Sequence, residues 1–599
     1  MRTSVLFLLV AACLGLAACQ SSVNVSATSN VNARYSSVFI TVKEVWVNES
    51  ATAAPDDTTW QKFPLSTPVT FDLVGLNSGT LSQFASQLAI PTGTYRQMRL
   101  LLADRSAPLT DSAKSLSATF NNEVTSFDSA GTQTTLPLEV ANAAQGIGIE
   151  MELVVPAPTE AILAALGSAS TSTTTDTSSA TSLIDSTGTP TTTTIPAATT
   201  PTTPSSSSTG TTASGSATTT VTANAYVVFD AARDLTDFQF SDRPGFLLNP
   251  SLKAYDAANL GTIRGQLDLS LLTISTGTGR PDIEVTAEAL NDDSTRRVEV
   301  ASAPVLANGT FMLYPLPPSA SATHSTACDL VIHGPGVRTI IIRAVPVTKG
   351  TPDQATDVAL GTVTLTASDS YSTNLDTNST VSPRGARVGF YQTLPDDNAP
   401  FLIEQRPVDP LSGRFVTDQL LSNATTVVYA TFGTAFSFLA SAPQEGASKY
   451  SVAALSSFYG NGDFGNTLLT PTTVAATPAT FTVPDVPLPS GSSAGTISAT
   501  VSVATAGKYD KGALLVTHNG TVITVASLDE ALAGAAASTV VSVTNVPGST
   551  ASGFERGLYY LEAWAWSSAD PDGTFTRQPV SGAVDLRTTL TANAAVTIN

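Results

Sequence analysis

Charge is scarce in this 599-residue chain. Asp, Glu, Lys and Arg together make up 13% of it, against the roughly 25% usual for a soluble domain. The charge present leans one way, with 48 acidic side chains against 28 basic ones and a formal net charge of −20. Nucleic-acid binding needs a basic footprint that displaces counterions from phosphate, and electrostatic docking on anionic lipid needs clustered Lys and Arg. Neither is present, so nucleic acid is excluded as a partner. The acidic excess is thinly spread, builds no tail, and reads as a solubility device. Histidine is scarcer still, at three residues, and so is cysteine, also at three. That leaves little material for metal centres, redox pairs or histidine-based catalysis.

Long apolar runs are also missing, apart from the chain start. Met1 and Arg2 form a short basic region, and residues 5–16 are almost wholly apolar. A membrane-spanning helix needs roughly 20 apolar residues, so this run has the length of a signal-peptide core. It ends in Leu16-Ala17-Ala18-Cys19, which resembles the bacterial lipobox. The resemblance implies a signal peptide over 1–18, cleavage before Cys19, and lipid on the Cys19 thiol. Small side chains at 17 and 18 fit the peptidase. A single acyl chain binds only marginally and about two anchor stably, so the lipid would make the membrane a partner. Gln20 after the cysteine, in place of Asp, favours the outer membrane in a Gram-negative cell, with surface and periplasmic faces both open. Cys13 then leaves with the signal peptide and Cys328 has no partner. No intramolecular disulfide is available, and an exported chain of this size must be stabilised by burial. Cys328 is expected as a small buried hydrophobe.

Helical periodicity is rare and alternation is common. In residues 35–47, Val38, Ile40 and Val42 point one way while Thr41 and Lys43 point the other, the pattern of a half-buried strand. Similar ladders cover 99–103, 225–230, 338–347, 426–432 and 557–566, separated by Gly, Pro, Asn and Asp clusters. Short helical turns are expected at 81–88, 159–166 and 528–536. The fold class is all-β, several β-sandwich modules in series.

Residues 168–220 are mostly Thr, Ser, Ala and Pro. Such a segment buries too little surface to offset its ordering entropy and is expected to be disordered. It reads as a loop inserted inside the first domain. Lengthening a loop from about 7 to about 56 residues costs roughly 1.8 kcal/mol of closure entropy, which a packed domain tolerates.

The reason for placing it inside a domain lies in the flanking residues. These begin with Val38-Phe39-Ile40-Thr41-Val42-Lys43-Glu44-Val45, Trp60 and Pro68-Val69-Thr70-Phe71-Asp72-Leu73. They continue with Ile90-Pro91-Thr92-Gly93-Thr94-Tyr95-Arg96-Gln97-Met98-Arg99-Leu100 and Leu101-Leu102-Ala103-Asp104. Beyond the insertion stand Val227-Val228-Phe229-Asp230-Ala231-Ala232-Arg233 and Phe246-Leu247-Leu248-Asn249-Pro250. Together, over about residues 35–255, they resemble domain of unknown function family 4382, whose bacterial and archaeal members are mostly exported lipoproteins. The Pro-x-Gly-x-Tyr-x-Gln-x-Arg-Leu run is the most specific piece. Two departures stand out: the Ser/Thr insertion, and Gln145-Gly146-Ile147-Gly148 where a basic residue is usual. The resemblance implies a β domain over 34–257, after a tether at 19–33, and brings no activity with it.

Beyond Leu260 a texture repeats. Gly261-Thr262-Ile263-Arg264-Gly265 opens a unit that later reads Asn308-Gly309-Thr310-Phe311. It resembles the transthyretin-like or carboxypeptidase-regulatory-like sandwich, in which a Gly turn precedes a strand with a buried Phe. Gly413-Arg414-Phe415 and Gly573-Thr574-Phe575 repeat the element, and Gly495-Thr496-Ile497 echoes the opening. Modules are expected at 259–367, 380–488 and 493–599.

Motifs that carry chemistry are weak. His324, Cys328 and His333 have metal-ligand types without finger spacing. Gly491-Ser492-Ser493-Ala494-Gly495 matches a nucleophile elbow, but that motif needs a strand before and a helix after it. Pro residues precede it here and a strand-like run follows, so it reads as a linker, with His518 the nearest base in sequence. Asp570 and Asp572 open a stretch like a calcium loop, although position twelve is Pro579 where Glu is required. Tyr560, Glu562, Trp564 and Trp566 share one strand face. Exposed, Tyr560, Trp564 and Trp566 would stack on sugar; the commoner fate is core. Asp72, Asp104 and Asp230 close strands of the first domain, either as turn caps or around a shared cation. The sequence thus reads as a lipid-anchored envelope protein with a non-catalytic structural or binding role, adhesion included, and without a cofactor. Its partner would be an envelope protein or polysaccharide. A carbohydrate- or cation-binding accessory subunit is the alternative, and a hydrolase the remote one.

Overall fold

The computed structural model describes residues 21–157 and 221–599, except 106, 129–130, 241–242, 272–273, 276, 292–294, 318–326, 349–357, 369–374, 377–384, 418–419, 422–425, 434–435, 447–448, 457, 460–471, 474–485, 534–537, 551–556 and 571–575. Its described residues form eight sheets and only short helices, an all-β architecture of packed sandwiches.

The first domain packs two sheets. A four-stranded one runs Lys253–Asp256, Val221–Asp230, Ser21–Asn30, Ser82–Leu88. The eight-stranded one centres on Tyr35–Asn48, flanked by Gly93–Leu102 and Glu123–Phe127. Val38, Ile40, Phe71, Tyr95, Leu100, Val227 and Phe229 fill the space between them. Residues 158–220 connect Ile147–Val155 to Val221–Asp230, two strands of this same domain, so the Ser/Thr segment is an insertion. Its own residues, and the turn expected at 159–166, lie outside the described residues.

Two expectations in this domain are corrected. Residues 19–33 were read as a tether, but Ser21–Asn30 is a central strand, paired along its whole length with Val221–Asp230 and on its other side with Ser82–Leu88. Its Val23, Val25 and Ala27 are fully buried, which a tether could not be. Residues 81–88 were read as helical turns, yet Ser82–Leu88 is the edge strand beside it. Backbone pairing with the N-terminal strand outweighs weak local propensity here.

Beyond the first domain, Gly261–Leu267, Thr310–Leu316 and Val358–Val363 form one sheet against a six-stranded one that includes Glu284–Leu290, Ala327–His333 and Ile340–Pro346. The turn-then-Phe element occurs twice among the described residues. Gly309 and Gly413 have φ of 82° and 75°, and Phe311 and Phe415 are buried two residues on. The third copy, at 573–575, lies outside them. The expected boundary of a module at 380–488 is not kept. Val427–Thr431 leaves it and pairs in parallel with Ile340–Pro346 of the preceding unit. The core of the 380–488 region, with Phe390, Phe401 and Tyr450, also runs into that of the last unit through Leu514, Tyr559 and Leu561.

The last unit packs Ser538–Gly548, Ser493–Val503 and Thr591–Ile598 against a sheet built on Lys511–His518 and Leu558–Trp566. The short helix expected at 528–536 is present as Asp529–Ala533. The series is not strung out. Arg280 donates to the carbonyls of Val31, Asn32 and Tyr35, Arg387 pairs with Asp234 at 2.5 Å, and the last unit folds back onto the first domain. The first domain thereby contacts every later unit.

Candidate functional site

The family-like motif sits on Gly93–Leu102, and a β-bulge between Tyr95 and Gln97 decides what each residue does. A bulge inserts one residue and re-aims the side chains after it. Tyr95 points into the core, its hydroxyl donating to the Pro91 carbonyl at 3.0 Å. After the bulge Met98, Leu100 and Leu102 take over the core face. Gln97 and Arg99 then turn outward, toward the last unit.

Arg99 is 1% exposed. Its guanidinium donates to the carbonyls of Gln145 and Gly146 at 3.1 and 3.3 Å and to Asn519 Oδ1 at 2.6 Å, and it lies 5.3 Å from the Trp60 ring centroid. Burial draws its pKa down to about 10, still cationic at neutral pH. Asn519 and Gly520 form the tip of a hairpin between Lys511–His518 and Thr521–Ser527, with φ of 52° and 86°. Positive φ at both central residues is the reason for an Asn-Gly pair there. The tip meets Gly146-Ile147-Gly148. Gly148 donates its N–H to the Asn519 carbonyl at 2.9 Å, and a Cβ at 148 would come within 2.9 Å of the Asn519 side chain. The absence of a side chain at Gly148 leaves room for the hairpin.

A hydrogen-bond relay follows. Asn519 Nδ2 lies 3.2 Å from His518 Nε2, and His518 Nδ1 lies 3.0 Å from the Leu558 carbonyl. A carbonyl only accepts, so Nδ1 carries the proton and Nε2 accepts from the amide. His518 is a neutral link in a chain that begins at Arg99.

Beside the relay lies a buried ion cluster. Arg577 is within 3.0 Å of Glu562 and 3.3 Å of Glu139 and donates to the Val140 carbonyl at 2.5 Å. Arg105 also binds Glu139. Glu562 accepts from the Asn142 N–H at 2.9 Å, and Asn142 Nδ2 donates to Thr517 at 2.8 Å. Burial opposes the Arg577 charge, but Glu562, Glu139 and Asp104 outweigh it and raise its pKa; burial raises that of Glu139.

Between the two domains remains a cleft of about 430 Å³, within the range of small-molecule sites. The loop at 51–55, Arg96, Gln97, Glu150 and Glu152 form one wall, and His518, Tyr560 and Arg587 the other. Gln97 is 7% exposed, and its Nε2 donates to the Ala51 carbonyl at 2.7 Å. Its Oε1 has no hydrogen-bond partner. The Tyr560 hydroxyl lies 3.4 Å from Asp56, and Arg587 is held by both oxygens of Asp585.

The residues singled out in the sequence fare unequally. Tyr560, Trp564 and Trp566 are 5%, 0% and 6% exposed, so the exposed stacking row is corrected to a buried one. Trp564 and Trp566 pack with Ala141 and Leu247 of the first domain, because docking covers this strand face. Glu562 stands among them as the ion-cluster carboxylate. Asp570 is exposed, while Asp572, His324 and Leu16 to Cys19 lie outside the described residues. Cys328 is buried, which pushes its thiol up to about 12, and His333 faces Thr339 and Glu404. Asp72 caps the turn at Leu73–Leu76, Asp104 lies 4.0 Å from Arg577, and Asp230 pairs with Arg233, each with different partners. Among the described residues no group of three or more His, Cys, Asp or Glu is placed to hold a metal. Ser493 begins a strand paired with Gly548, so the elbow motif has no helix after it.

Gln97, Arg99 and Asn519 were not read as a site. Two signals pointed to them: the family-like motif carrying Gln97 and Arg99, and the Asn519-Gly520 pair, a strong hairpin signature.

No curated protein matches the chain significantly. Among solved structures, a Streptococcal ancillary pilin aligns at 12% identity over 56% of this chain and 98% of its own, with a TM-score of 0.12. The major pilin subunit of Bacillus cereus aligns at 10% identity over 57% and 99%, TM-score 0.12. A 9R-lipoxygenase from Cyanothece PCC8801 aligns at 20% identity over 22% of this chain and only 19% of its own, TM-score 0.12. TM-scores this low carry no argument about fold or function. The match that bears on this domain is to a family model, and it covers the motif and the insertion just described: residues 20–250 match the family described as Domain of unknown function (DUF4382).

Proposed function

We propose that the protein is an exported, lipid-anchored cell-envelope protein with a non-catalytic binding role, exercised at the cleft between its first and last domains. The observation that carries the binding role is that cleft, about 430 Å³, walled by Arg96, Glu150, Glu152, His518 and Tyr560. The rigid surroundings support the same reading. Arg99, Asn519 and Arg577 hold the walls together, and preorganised walls lower the ordering cost of binding. The anchor reading rests on Leu16-Ala17-Ala18-Cys19 behind a short apolar run. With a strand beginning at Ser21, a lipid on Cys19 would hold the first domain directly against the bilayer.

The test uses cells producing the full chain or its Cys19→Ala variant. Wild type should fractionate with membranes and the variant should not. The lipid-free variant, added back to isolated envelopes, should still co-sediment with them. Wild type found in the soluble fraction would overturn the anchor. A variant that stays in the supernatant would overturn the binding role.

A further inference from the structure

We infer that protonation of His518 unlatches the last unit from the first domain, so that their contact holds at neutral pH and loosens in acid. The inference concerns the docking itself and stands whether or not the cleft holds a ligand.

Each atom in the relay has its role forced by its neighbour. The Arg99 guanidinium cannot accept, so the Asn519 atom 2.6 Å from it is the carbonyl oxygen. That turns the Asn519 amide N–H₂ toward His518 Nε2, at 3.2 Å. The Leu558 carbonyl, 3.0 Å from Nδ1, can only accept, so the one proton of the neutral ring sits there. Nε2 then carries no proton and accepts from Asn519. A second proton can go only to Nε2, where it sets donor against donor. Turning the Asn519 amide over gives Nε2–H an oxygen, but sets the amide N–H₂ against the Arg99 guanidinium. With the ring charged, either orientation of Asn519 forfeits a hydrogen bond of the latch. The docked state therefore binds this proton less well than the undocked one. Undocking takes up a proton, and docking weakens as pH falls through the imidazole range.

His518 is half-buried and lines the cleft, within reach of solvent. Imidazole is the ordinary side chain that changes charge between about pH 5 and 8. The Phe458 and Tyr559 rings flank it at 4.7 and 6.3 Å and carry no charge in that range. The loop at 51–55 brings no ionisable group. Gly93–Leu102 brings Arg96 and Arg99, and Ile147–Val155 brings Glu150 and Glu152. Past Tyr560 stand Asp56 and the Arg587–Asp585 pair. These cations and carboxylates nearly balance, and they act across an open cleft where salt screens them. The donor conflict acts at contact. A second ionic link joins the same two domains: Arg577 with Glu139, Glu562 and Asp104, and Arg105 with Glu139. Burial raises the Glu139 pKa, so this link also responds to acid and has to be separated from His518.

Hydrogen exchange on the full chain makes the separation. It follows the Gly148 and Val522 amides, which donate across the junction to the Asn519 carbonyl and Asn249 Oδ1. Protection relative to the unstructured chain is measured from about pH 7.5 to about pH 5, across the imidazole range. In wild type it should fall about tenfold, the equivalent of one buried hydrogen bond. His518→Gln can still donate to Leu558 and accept from Asn519, but it does not titrate. Its protection should stay flat. Asn519→Asp should reverse the sign: one oxygen stays on Arg99, the other accepts from the charged Nε2–H, and protection rises in acid. Wild-type protection that does not change with pH overturns the inference. An equal fall in His518→Gln also overturns it and assigns the effect to Glu139 and its neighbours. If His518→Gln is unprotected throughout, Asn519→Asp decides. Greater protection in acid than at neutral pH upholds the inference, while the wild-type direction, or no protection at any pH, overturns it.

Discussion

Arg99 Nη2 donates to Asn519 Oδ1 at 2.6 Å across 420 positions of sequence. One residue belongs to the most specific stretch of the first domain and the other to the tip of a hairpin in the last. The contact turns a chain of sandwiches into a closed assembly. It also orients Asn519 so that its amide N–H₂ faces His518.

Arg99→Met is expected to unlatch this tip. It leaves Asn519 Oδ1 and the carbonyls of Gln145 and Gly146 without their donor, a loss of about 2–5 kcal/mol for a buried charged partner. Limited proteolysis of the full chain should show new cleavage around 519–521. A digestion pattern identical to wild type would count against the latch.

Gly148→Ala should weaken docking without touching either core. The added methyl would lie 2.9 Å from the Asn519 side chain, and overpacking of this kind costs about 1–3 kcal/mol. Gly75→Ala, where a Cβ meets nothing within 4 Å, is the control. Small-angle scattering should report a larger radius of gyration for Gly148→Ala and none for Gly75→Ala.

Stability should fall as pH rises from 5 to 8. Arg233 faces three carboxylates, Asp230, Glu284 and Glu299, at the junction of the first two units. Burial, with carboxylates in excess of the one guanidinium, raises Glu299 from 4.5 to about 7, and burial raises Asp234 from 3.8 to about 6. A carboxyl whose folded pKa lies above its unfolded one stabilises fully below the unfolded value and loses that contribution as pH climbs through the folded one. For Glu299 the window is 4.5 to about 7. Thermal midpoints across it should decline, and Glu299→Gln should flatten the slope. A midpoint that rises over this range would refute the assignment.

Trp564→Ala should cost about 3–5 kcal/mol, as for other large buried side chains. Trp564→Phe should cost much less. Trp564 is fully buried in the junction, so a midpoint unmoved by the alanine change would place it outside the core.

Much of the fold was legible in alternation, as Tyr35–Asn48 and Leu558–Trp566 illustrate. What alternation hides is the bulge. Val38, Ile40 and Val42 face the core as their spacing predicts, but after the irregularity at Val42 and Glu44 the core face passes to Val45 and Val47. The bulge at Tyr95 and Gln97 likewise divides a single motif between the core, which takes Tyr95, Met98 and Leu100, and the face toward the last unit, which takes Gln97 and Arg99. The parallel pairing of Val427–Thr431 with Ile340–Pro346 was equally out of reach, because it joins strands that no local pattern links. The cleft draws on segments near 51–55, 96–97, 150–152, 518–519 and 560, brought together only by docking. The aromatic row was visible, yet its burial depended on a surface 420 residues upstream, as the Asn142–Glu562 bond measures.

Amide hydrogen exchange on the full chain tests the closed assembly most directly. The N–H groups of Gly148 and Val522 donate across the junction, to the Asn519 carbonyl and to Asn249 Oδ1. In wild type, peptides covering both should be protected. In Arg577→Met, which removes the guanidinium binding Glu139 and Glu562, both should exchange faster together by about 30-fold or more, the equivalent of about 2 kcal/mol of lost docking. Rapid exchange at both sites in wild type, unchanged by Arg577→Met, would mean that the last domain does not dock on the first and that the cleft does not exist.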